Sequence, residues 1–264
     1  MAFVAVPGLF DFVLTTERFR AFGIDRTMLW HDGGLQLVVG GREVRIEATE
    51  DGVDVEPFDA DTEPVVRAVL GLAFDLEPFY ERAADDDVLA PIVARLAGFR
   101  PSLSPDPFEF LVGAIASQQV SLFSALAVRN RLVERFGERT GHAWAFPQRE
   151  RLAAARNEEL AALGFTRRKA ESVLGLARAD IDLDALAALP DGEVRARLVA
   201  LRGIGEWTAE WFLARHLGRP HAWPAGDLAL RKAVAPLDVA GARVRFHPFE
   251  NLSAHYLLLA QRIP

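Results

Sequence analysis

The sequence predicts a mainly α-helical protein with an N-terminal α+β part, in which an antiparallel sheet precedes the helices. Two observations support this class. Over the first sixty residues, short alternating runs are separated by turn signals such as Gly40-Gly41 and Asp51-Gly52. From about Glu63 onwards, apolar residues recur at helical spacing. We therefore predict an N-terminal antiparallel-sheet domain over residues 1–75 and a helical domain over residues 76–264.

The clearest predicted strand is the run GREVRIEAT, residues 41–49. Alternation places Val44 and Ile46 on a buried face and Glu43 and Arg45 in water. A period of two over this length is typical of a half-buried strand.

Three further features are interpreted as structural. Phe19, Phe22 and Trp30 are predicted to pack in the core, with a place in a pocket lining as the alternative. The run Asp85–Asp87 is interpreted as a solvated helix cap, because three consecutive carboxylates point in different directions and do not converge on a metal ion. Arg129 is expected at the surface.

Composition limits the functional classes. The chain has 264 residues, half of them hydrophobic, and no apolar run of transmembrane length. Its N-terminus has no basic region ahead of an apolar one, so we expect no signal peptide, a cytoplasmic protein and no membrane partner. The chain contains no cysteine, which excludes disulfides and cysteine-ligated zinc or iron–sulfur clusters.

The net charge of −7 is unevenly distributed. Residues 1–90 have 7 basic and 19 acidic side chains, a balance of −12, whereas residues 91–264 have 23 basic and 18 acidic, a balance of +5. The mildly basic helical part is compatible with a nucleic-acid partner. We expect modest nonspecific binding with a shallow salt dependence.

The stretch Leu201–Trp211 predicts two helices that meet at a tight turn. Val194 and Leu198 have helical spacing before the turn Gly203–Gly205, and a second helix is predicted to run to Gly218. Glycines let the backbone approach a phosphate, and the start of the second helix offers unpaired N–H groups to that anion. The stretch therefore predicts a sequence-independent clamp on DNA.

A second helix–loop–helix pattern covers Pro107–Gly137. The first helix is predicted to end at Gln118 and Gln119, and the second to begin after Ser121 as its N-cap. The basic cluster in Phe165–Ser172 lies at a predicted helix start, where it indicates either an anionic partner or a solvated cationic face.

Together with Pro224–Ala233, these stretches resemble the helix-hairpin-helix superfamily of base-excision DNA glycosylases, and within it the 3-methyladenine DNA glycosylase II branch of alkylation repair. The signature is the hairpin, a Gly/Pro-rich loop and an Asp, here Asp227. Pro107–Gly137 is similar to the helices by which that branch enters the minor groove, and Ala162–Ala177 matches the segment before the hairpin. The resemblance covers roughly Pro91 to the C-terminus. It implies a helix-hairpin-helix glycosylase fold, with a two-lobed helical domain after the sheet.

The resemblance also assigns DNA contacts. Gln118 and Gln119 would contact DNA, with Gln119 inserted where the target base has left the duplex; a plain solvated loop is the alternative. The hairpin contacts would come from Arg202, Gly203, Ile204, Gly205 and Thr208. The main-chain carbonyls of Leu201 and Ile204 are candidate ligands for a monovalent cation, and we expect no required cofactor.

Asp227 is the predicted catalytic residue, because cleavage of the N-glycosidic bond builds positive charge on the sugar that a carboxylate stabilises. Its alternative role is to cap the following helix. Relatives with lyase activity use an amine two residues after the last hairpin glycine. Trp207 stands there, and the only lysines in the sequence are Lys169 and Lys232, so we expect a monofunctional glycosylase.

Trp207 and Trp211 share a helix face at a spacing of four and form the predicted base pocket, with packing in the core as the alternative. Alkylated purines such as 3-methyladenine and 7-methylguanine carry a positive charge, which gains about 0.5 to 2 kcal/mol over an aromatic face. Pro248–Asn251 and Leu258 depart from the branch's pattern, which leaves the lesion range open.

Two alternative functions remain. One is a glycosylase for a neutral lesion, such as hypoxanthine, uracil or an oxidised purine. The other is a noncatalytic damaged-DNA binder, in which Asp227 is only a cap. In each case the expected partner is double-stranded DNA with damaged bases, and we expect a monomer that is nucleoid-associated when bound.

Overall fold

The computed structural model describes residues 2–263. The first strands are β1 (Ala2–Ala5), β2 (Leu29–His31), β3 (Gly34–Val39), β4 (Arg42–Ala48) and β5 (Gly52–Glu56). Within the described residues they form a five-stranded antiparallel sheet in the order β1-β5-β4-β3-β2. The N-terminal sheet predicted from the turn signals is confirmed.

The register of β4 follows its alternating pattern. Val44 and Ile46 are fully buried and pair with Leu37 and Leu35 of β3. The other face was predicted to be solvated, and this is wrong for Glu43. Its Oε1 accepts the main-chain N–H groups of His142 and Ala143, at 2.5 and 3.0 Å.

Those two residues belong to a small hairpin that the sequence pattern did not indicate. It consists of β6 (Glu138–Thr140) and β7 (Ala143–Ala145), paired antiparallel. Trp144 donates its main-chain N–H to the carbonyl of Arg26 at 2.9 Å. The helical part therefore contributes strands that fasten it to the sheet.

The rest of the chain is mainly helical, as predicted. The helices are α1 (Phe12–Thr16), α2 (Thr62–Val69), α3 (Glu77–Ala84), α4 (Leu89–Arg95), α5 (Pro107–Ser117), α6 (Leu122–Phe136), α7 (Arg149–Ala153), α8 (Asn157–Ala162), α9 (Arg167–Arg178), α10 (Asp191–Val199), α11 (Glu206–Arg215), α12 (Leu228–Ala233), α13 (Val239–Arg245) and α14 (Glu250–Ala260). Side-chain caps begin several of them: Asp106 caps α5, Ser121 caps α6 and Thr166 caps α9.

The buried side chains form two hydrophobic cores. One lies between the sheet and the first helices and extends from Val4 to Leu70. The other begins at Phe74 and extends to Leu259. We keep the division after residue 75 as a proposal, which this distribution of buried side chains supports.

The acidic run Asp85–Asp87 does form a cap, but its middle residue is not solvated. Asp86 is 5% exposed, and its Oδ1 accepts the N–H groups of Val88 and Leu89 at the start of α4. Both oxygens of Asp86 also bind Arg245, at 2.7 and 2.9 Å. The solvated interpretation is wrong because α13 brings an arginine onto the carboxylate, a long-range contact that a local pattern does not contain.

The surface assignment of Arg129 is also wrong. Its side chain is 12% exposed and lies 2.9 Å from Oδ1 of Asp25, and it also binds the carboxylate of Glu109. Burial opposes the charge of Arg129, but the two carboxylates outweigh it and raise the pKa of the guanidinium group. This ion triad connects the N-terminal segment to α5 and α6.

None of the helices in residues 2–263 is both long enough and apolar enough to span a bilayer.

Candidate functional site

The predicted turn joins α10 to α11. Gly203 has φ +85°, a left-handed conformation that favours glycine. A Cβ built on Gly203 would lie 2.1 Å from Oγ of Ser172 in α9, so a side chain at this position would collide with a packed helix. The glycine at 203 is therefore required by the fold of the hairpin itself.

Gly205 differs from Gly203 in its backbone conformation and in the space around it. It is the N-cap residue of α11, with φ −112°, and a Cβ there would meet nothing within 4 Å. The N-terminus of α11 is therefore open to solvent at Gly205, where no side chain covers it. This is the geometry in which unpaired helix N–H groups can receive a phosphate.

The other predicted hairpin contacts occupy different environments. Arg202 is exposed and forms an ion pair with Glu171 of α9. Ile204 and Thr208 are 4% and 1% exposed, so the predicted contact of these residues with DNA would come from their main chains. The carbonyl of Leu201 accepts the N–H of Ile204 at 3.1 Å, which closes the turn.

Gln118 and Gln119 lie between α5 and α6, as predicted, with different surroundings. Gln118 donates its side-chain N–H to the carbonyl of Gly203 at 2.9 Å. Lys169 of α9 donates to the carbonyl of Ala116 at 2.8 Å. The end of α5 is thus bound to the hairpin region, whereas Gln119 is exposed and has φ +57°. The exposed apolar side chains of Val120, Leu122 and Phe123 follow it.

Asp227 lies at the N-cap position of α12 and accepts four N–H donors. Its Oδ1 accepts the main-chain N–H groups of Ala229 and Leu230, at 2.9 and 3.0 Å. Its Oδ2 accepts the indole N–H groups of Trp207 and Trp211, at 3.0 and 3.1 Å. Capping and contact with the tryptophans therefore coexist. We call Asp227, Trp207 and Trp211 the carboxylate corner.

The local sequence explains this arrangement. Trp207 and Trp211 are one turn apart on α11, so their indoles extend from the same face. The main-chain N–H of Asp227 bonds to the carbonyl of Pro224 at 2.8 Å, forming a tight turn just before α12. The turn brings the carboxylate back to the face of α11 that bears the tryptophans.

The carboxylate corner opens onto a cavity with a volume of about 290 Å³. The cavity lies between α5, α6 and α11. Residues of the N-terminal segment and from near the end of the chain also line it. Leu258 of α14 lines it, at the position where the sequence departs from the family pattern. Phe19 is buried and Phe22 half-buried, and both line this space, whereas Trp30 packs against the core of the sheet as predicted.

Besides Arg129, three arginines that were not predicted also line the cavity. Arg18 donates to the carbonyl of Ser102 at 3.0 Å. The guanidinium carbon of Arg215 lies 4.1 Å from the ring centroid of Trp211, and that of Arg262 lies 4.4 Å from the ring centroid of Phe22. We call Arg18, Arg215 and Arg262 the arginine wall.

Burial lowers the pKa values of the three guanidinium groups in the arginine wall, but the groups keep their charge. Desolvation and the nearby charges of Arg18 and Arg262 lower the pKa of Arg215 to about 9. Burial lowers the pKa of Arg18 to about 10 and also lowers that of Arg262. All three groups stay protonated at pH 7, because an arginine guanidinium keeps its proton in proteins. Burial and the charges of Arg215 and Arg18 lower the pKa of His255 well below 6.5, which keeps this neighbour neutral.

One member of the arginine wall could have been predicted. Arg215 follows Trp211 by four residues, so it lies on the same face of α11 as the predicted pocket. Arg18 and Arg262 lie near opposite ends of the chain and meet only in the tertiary structure.

Comparison with known proteins supplies a family. The family model described as "HhH-GPD superfamily base excision DNA repair protein" matches residues 112–245. A DNA-3-methyladenine glycosylase of Bacillus subtilis is 31% identical over 204 residues, which cover 73% of this chain and 67% of the relative. Two further relatives are matched over a smaller share of their length. The aligned part covers 52% of a putative DNA-3-methyladenine glycosylase of Bacillus subtilis and 41% of a probable bifunctional transcriptional activator/DNA repair enzyme of Mycobacterium tuberculosis.

Solved structures match over almost the whole chain. A 3-methyladenine DNA glycosylase of Archaeoglobus fulgidus has a TM-score of 0.87 and 29% identity, and the match covers 99% of this chain and 98% of that one. An 8-oxoguanine glycosylase/lyase of Clostridium acetobutylicum in complex with double-stranded DNA has a TM-score of 0.80. Its identity is 18%, with 96% of this chain and 92% of that chain covered, so it shows the fold alone.

Proposed function

Because the chain belongs to the HhH-GPD superfamily of base excision DNA repair proteins, we propose that it is a DNA glycosylase that flips alkylated purines out of duplex DNA and hydrolyses their N-glycosidic bond. The observation that carries the proposal is the carboxylate corner at the cavity. A carboxylate with four N–H donors is far more elaborately held than a helix cap requires. The cap accounts for the two main-chain donors, and the two indole donors fix the other carboxylate oxygen at the cavity.

The corner supports electrostatic catalysis. Loss of the base leaves positive charge on the sugar, and a fixed carboxylate beside it stabilises that charge. An ionised carboxylate only accepts hydrogen bonds and has about four lone-pair sites. Asp227 accepts four N–H groups, so in this arrangement it has no free site for the proton of an attacking water. We therefore assign it charge stabilisation ahead of proton abstraction.

The proposed enzyme is monofunctional. The α11 position two residues after Gly205 holds Trp207, whose indole cannot form an imine with the sugar. Incubation with damaged DNA and borohydride is expected to trap no covalent complex. A trapped adduct would show that another amine in the chain attacks the sugar.

We propose that DNA binds across the hairpin and the loop between α5 and α6. The open start of α11 would hold a phosphate, and exposed Gln119 would enter the duplex beside the apolar Val120 and Phe123. The carbonyls of Leu201 and Ile204 remain proposed ligands of a monovalent cation, with no cofactor required for the chemistry. We further propose a monomer in the cytoplasm that associates with the nucleoid through damaged double-stranded DNA.

A neutral lesion is the second candidate substrate, and the arginine wall favours it. Besides the ion triad of Asp25, Glu109 and Arg129, whose charges are paired, the three guanidinium groups of the arginine wall line the cavity. The described contacts of these three groups are with a carbonyl and ring faces. A cationic base entering there meets like charge, whereas a neutral base with carbonyl oxygens offers hydrogen-bond acceptors. Arg215 also covers one face of Trp211, so that face is not free for a charged purine.

The function is tested by measuring the release of free base from duplexes that each contain one lesion. We expect wild-type protein to release 7-methylguanine or 3-methyladenine and to leave an abasic site in an uncut strand. A duplex with hypoxanthine tests the second candidate in the same assay. Tight binding to these duplexes without any base release would support the noncatalytic binder instead.

A further inference from the structure

A separate group of possible ligand atoms lies outside the cavity, where the loop after α11 meets the start of α14. Nδ1 of His221 lies 3.1 Å from Oε2 of Glu250. Nδ1 of His247 lies 3.1 Å from Oε1 of the same carboxylate. One possible ligand atom from each of the three side chains lies within 4.8 Å of the other two. Within residues 2–263, no other three histidine, aspartate or glutamate side chains converge in this way.

Burial distinguishes this cluster from a chance surface contact. The side chain of Glu250 is 5% exposed, whereas those of His221 and His247 are 50% and 64% exposed. The two rings stack with centroids 5.2 Å apart and planes at 20°. The carboxylate is therefore held in the protein interior, while the two solvent-facing imidazoles can turn their nitrogens toward a common point.

We propose that His221, His247 and Glu250 form a binding site for one Zn²⁺ ion. Two neutral imidazoles and a carboxylate are a ligand set that suits zinc, and three protein ligands leave the fourth tetrahedral position to water. Magnesium prefers oxygen ligands and is not expected to bind here.

The site joins two segments that shape the cavity. His221 lies in the loop that leads to Asp227, and the N–H of Asn251 bonds to the carbonyl of Pro220 in this loop at 3.0 Å. Glu250 begins α14, the helix on which Leu258 lines the cavity. A bound zinc ion cross-links the loop to α14 and stabilises the folded state by mass action.

A second histidine pair provides a matched control. The rings of His31 and His142 stack with centroids 4.6 Å apart, and Nδ1 of His142 lies 3.5 Å from Glu43. Unlike His221 and His247, this pair does not place both rings on one carboxylate. The variant His142→Gln therefore removes a stacked, exposed histidine from a place where no zinc site is proposed.

The test uses untagged full-length protein, freed of metal with a chelator and dialysed against zinc chloride. We expect one zinc per chain by elemental analysis and a rise in the midpoint of thermal unfolding, with no rise in magnesium chloride. In His221→Gln and His247→Gln, the affinity for zinc should fall by more than about tenfold and the thermal shift should disappear. The glutamine amide can still donate to Glu250, so both variants should fold.

His142→Gln should bind zinc as the wild type does. Absence of bound zinc in the wild type, or the same zinc affinity and thermal shift in all four proteins, would overturn the proposal. Neither readout involves DNA, so the result is independent of the glycosylase assignment.

Discussion

The two sides of the cavity differ in how their charges are held. In the carboxylate corner, one negative group accepts four N–H donors at 2.9 to 3.1 Å. In the arginine wall, the described contacts of the three positive groups are with one carbonyl and with aromatic faces. A fully bonded group is suited to a fixed catalytic task, and incompletely bonded donors are suited to receive a ligand. The comparison assigns the reaction to the corner and the choice of base to the wall.

The largest expected effect comes from removing the charge of the corner. Asp227→Asn keeps an oxygen to cap α12, but its amide group cannot accept both indole N–H groups. We expect the single-turnover rate of base release to fall about a thousandfold. The affinity for abasic-site DNA, measured on the same protein, should be unchanged. Retained turnover would show that Asp227 is a cap without a catalytic role.

The next prediction compares the contribution of the Trp207 indole N–H with that of its ring. Trp207→Phe keeps an aromatic ring but removes one donor to Oδ2 of Asp227, so we expect a loss of about tenfold in the single-turnover rate on every lesion. Trp207→Leu removes the ring as well. If the ring face binds positive charge, the Leu variant should lose more activity on 7-methylguanine than on hypoxanthine, up to about tenfold more.

Equal activity of the Phe variant and the wild type would contradict the positioning role of Trp207. Equal losses of the Leu variant on both bases would contradict recognition of charge by its ring. Thermal unfolding of each variant serves as the control, because Trp207 also packs against the helical core.

A smaller effect is expected from the arginine wall, and it concerns selectivity. Arg262→Gln removes a positive charge that lines the cavity over Phe22, so excision of 7-methylguanine relative to hypoxanthine should rise by about threefold to tenfold. Lys at the same position keeps the charge and serves as the matched control. If Gln and Lys change the ratio alike, the effect is one of shape and the electrostatic argument fails.

The smallest effect lies at the hairpin, away from both sides of the cavity. Gly205→Ala adds a methyl group in open space without strain, so the protein should keep its stability. The methyl group obstructs a phosphate, and we expect about fivefold weaker DNA binding, about 1 kcal/mol, with and without a lesion. Gly203→Ala should instead lower the midpoint of thermal unfolding, because of φ +85° and the contact with Ser172. Unchanged DNA affinity of Gly205→Ala would mean that the turn is only structural.

The difference between the two sides also explains what the sequence could predict. The hairpin glycines, Trp207, Trp211 and Asp227 lie within one short stretch, where spacing determines which groups meet. The order of sheet and helices followed from turn signals and periodicity in the same way. Local patterns were therefore sufficient for the fold class, whereas the three residues of the carboxylate corner were singled out by the resemblance of this stretch to the glycosylase signature.

The remaining features depend on contacts between distant segments. Arg129 was expected at the surface, because nothing in α6 indicates that Asp25 covers it. Asp86 was expected in water, although Arg245 binds it from α13. Arg18 and Arg262 reach the cavity from opposite ends of the chain. Only the tertiary structure brings these pairs together, and one sequence without partners does not reveal them.

The central claim is that the carboxylate corner performs the reaction and the arginine wall selects the base. One measurement tests this claim most directly. Wild type, Asp227→Asn and Arg262→Gln are compared at single turnover on matched duplexes containing 7-methylguanine or hypoxanthine. We predict that Asp227→Asn loses activity on both bases by the same factor, while Arg262→Gln changes the ratio between them. Loss on one base alone in Asp227→Asn, or an unchanged ratio in Arg262→Gln, would contradict the account.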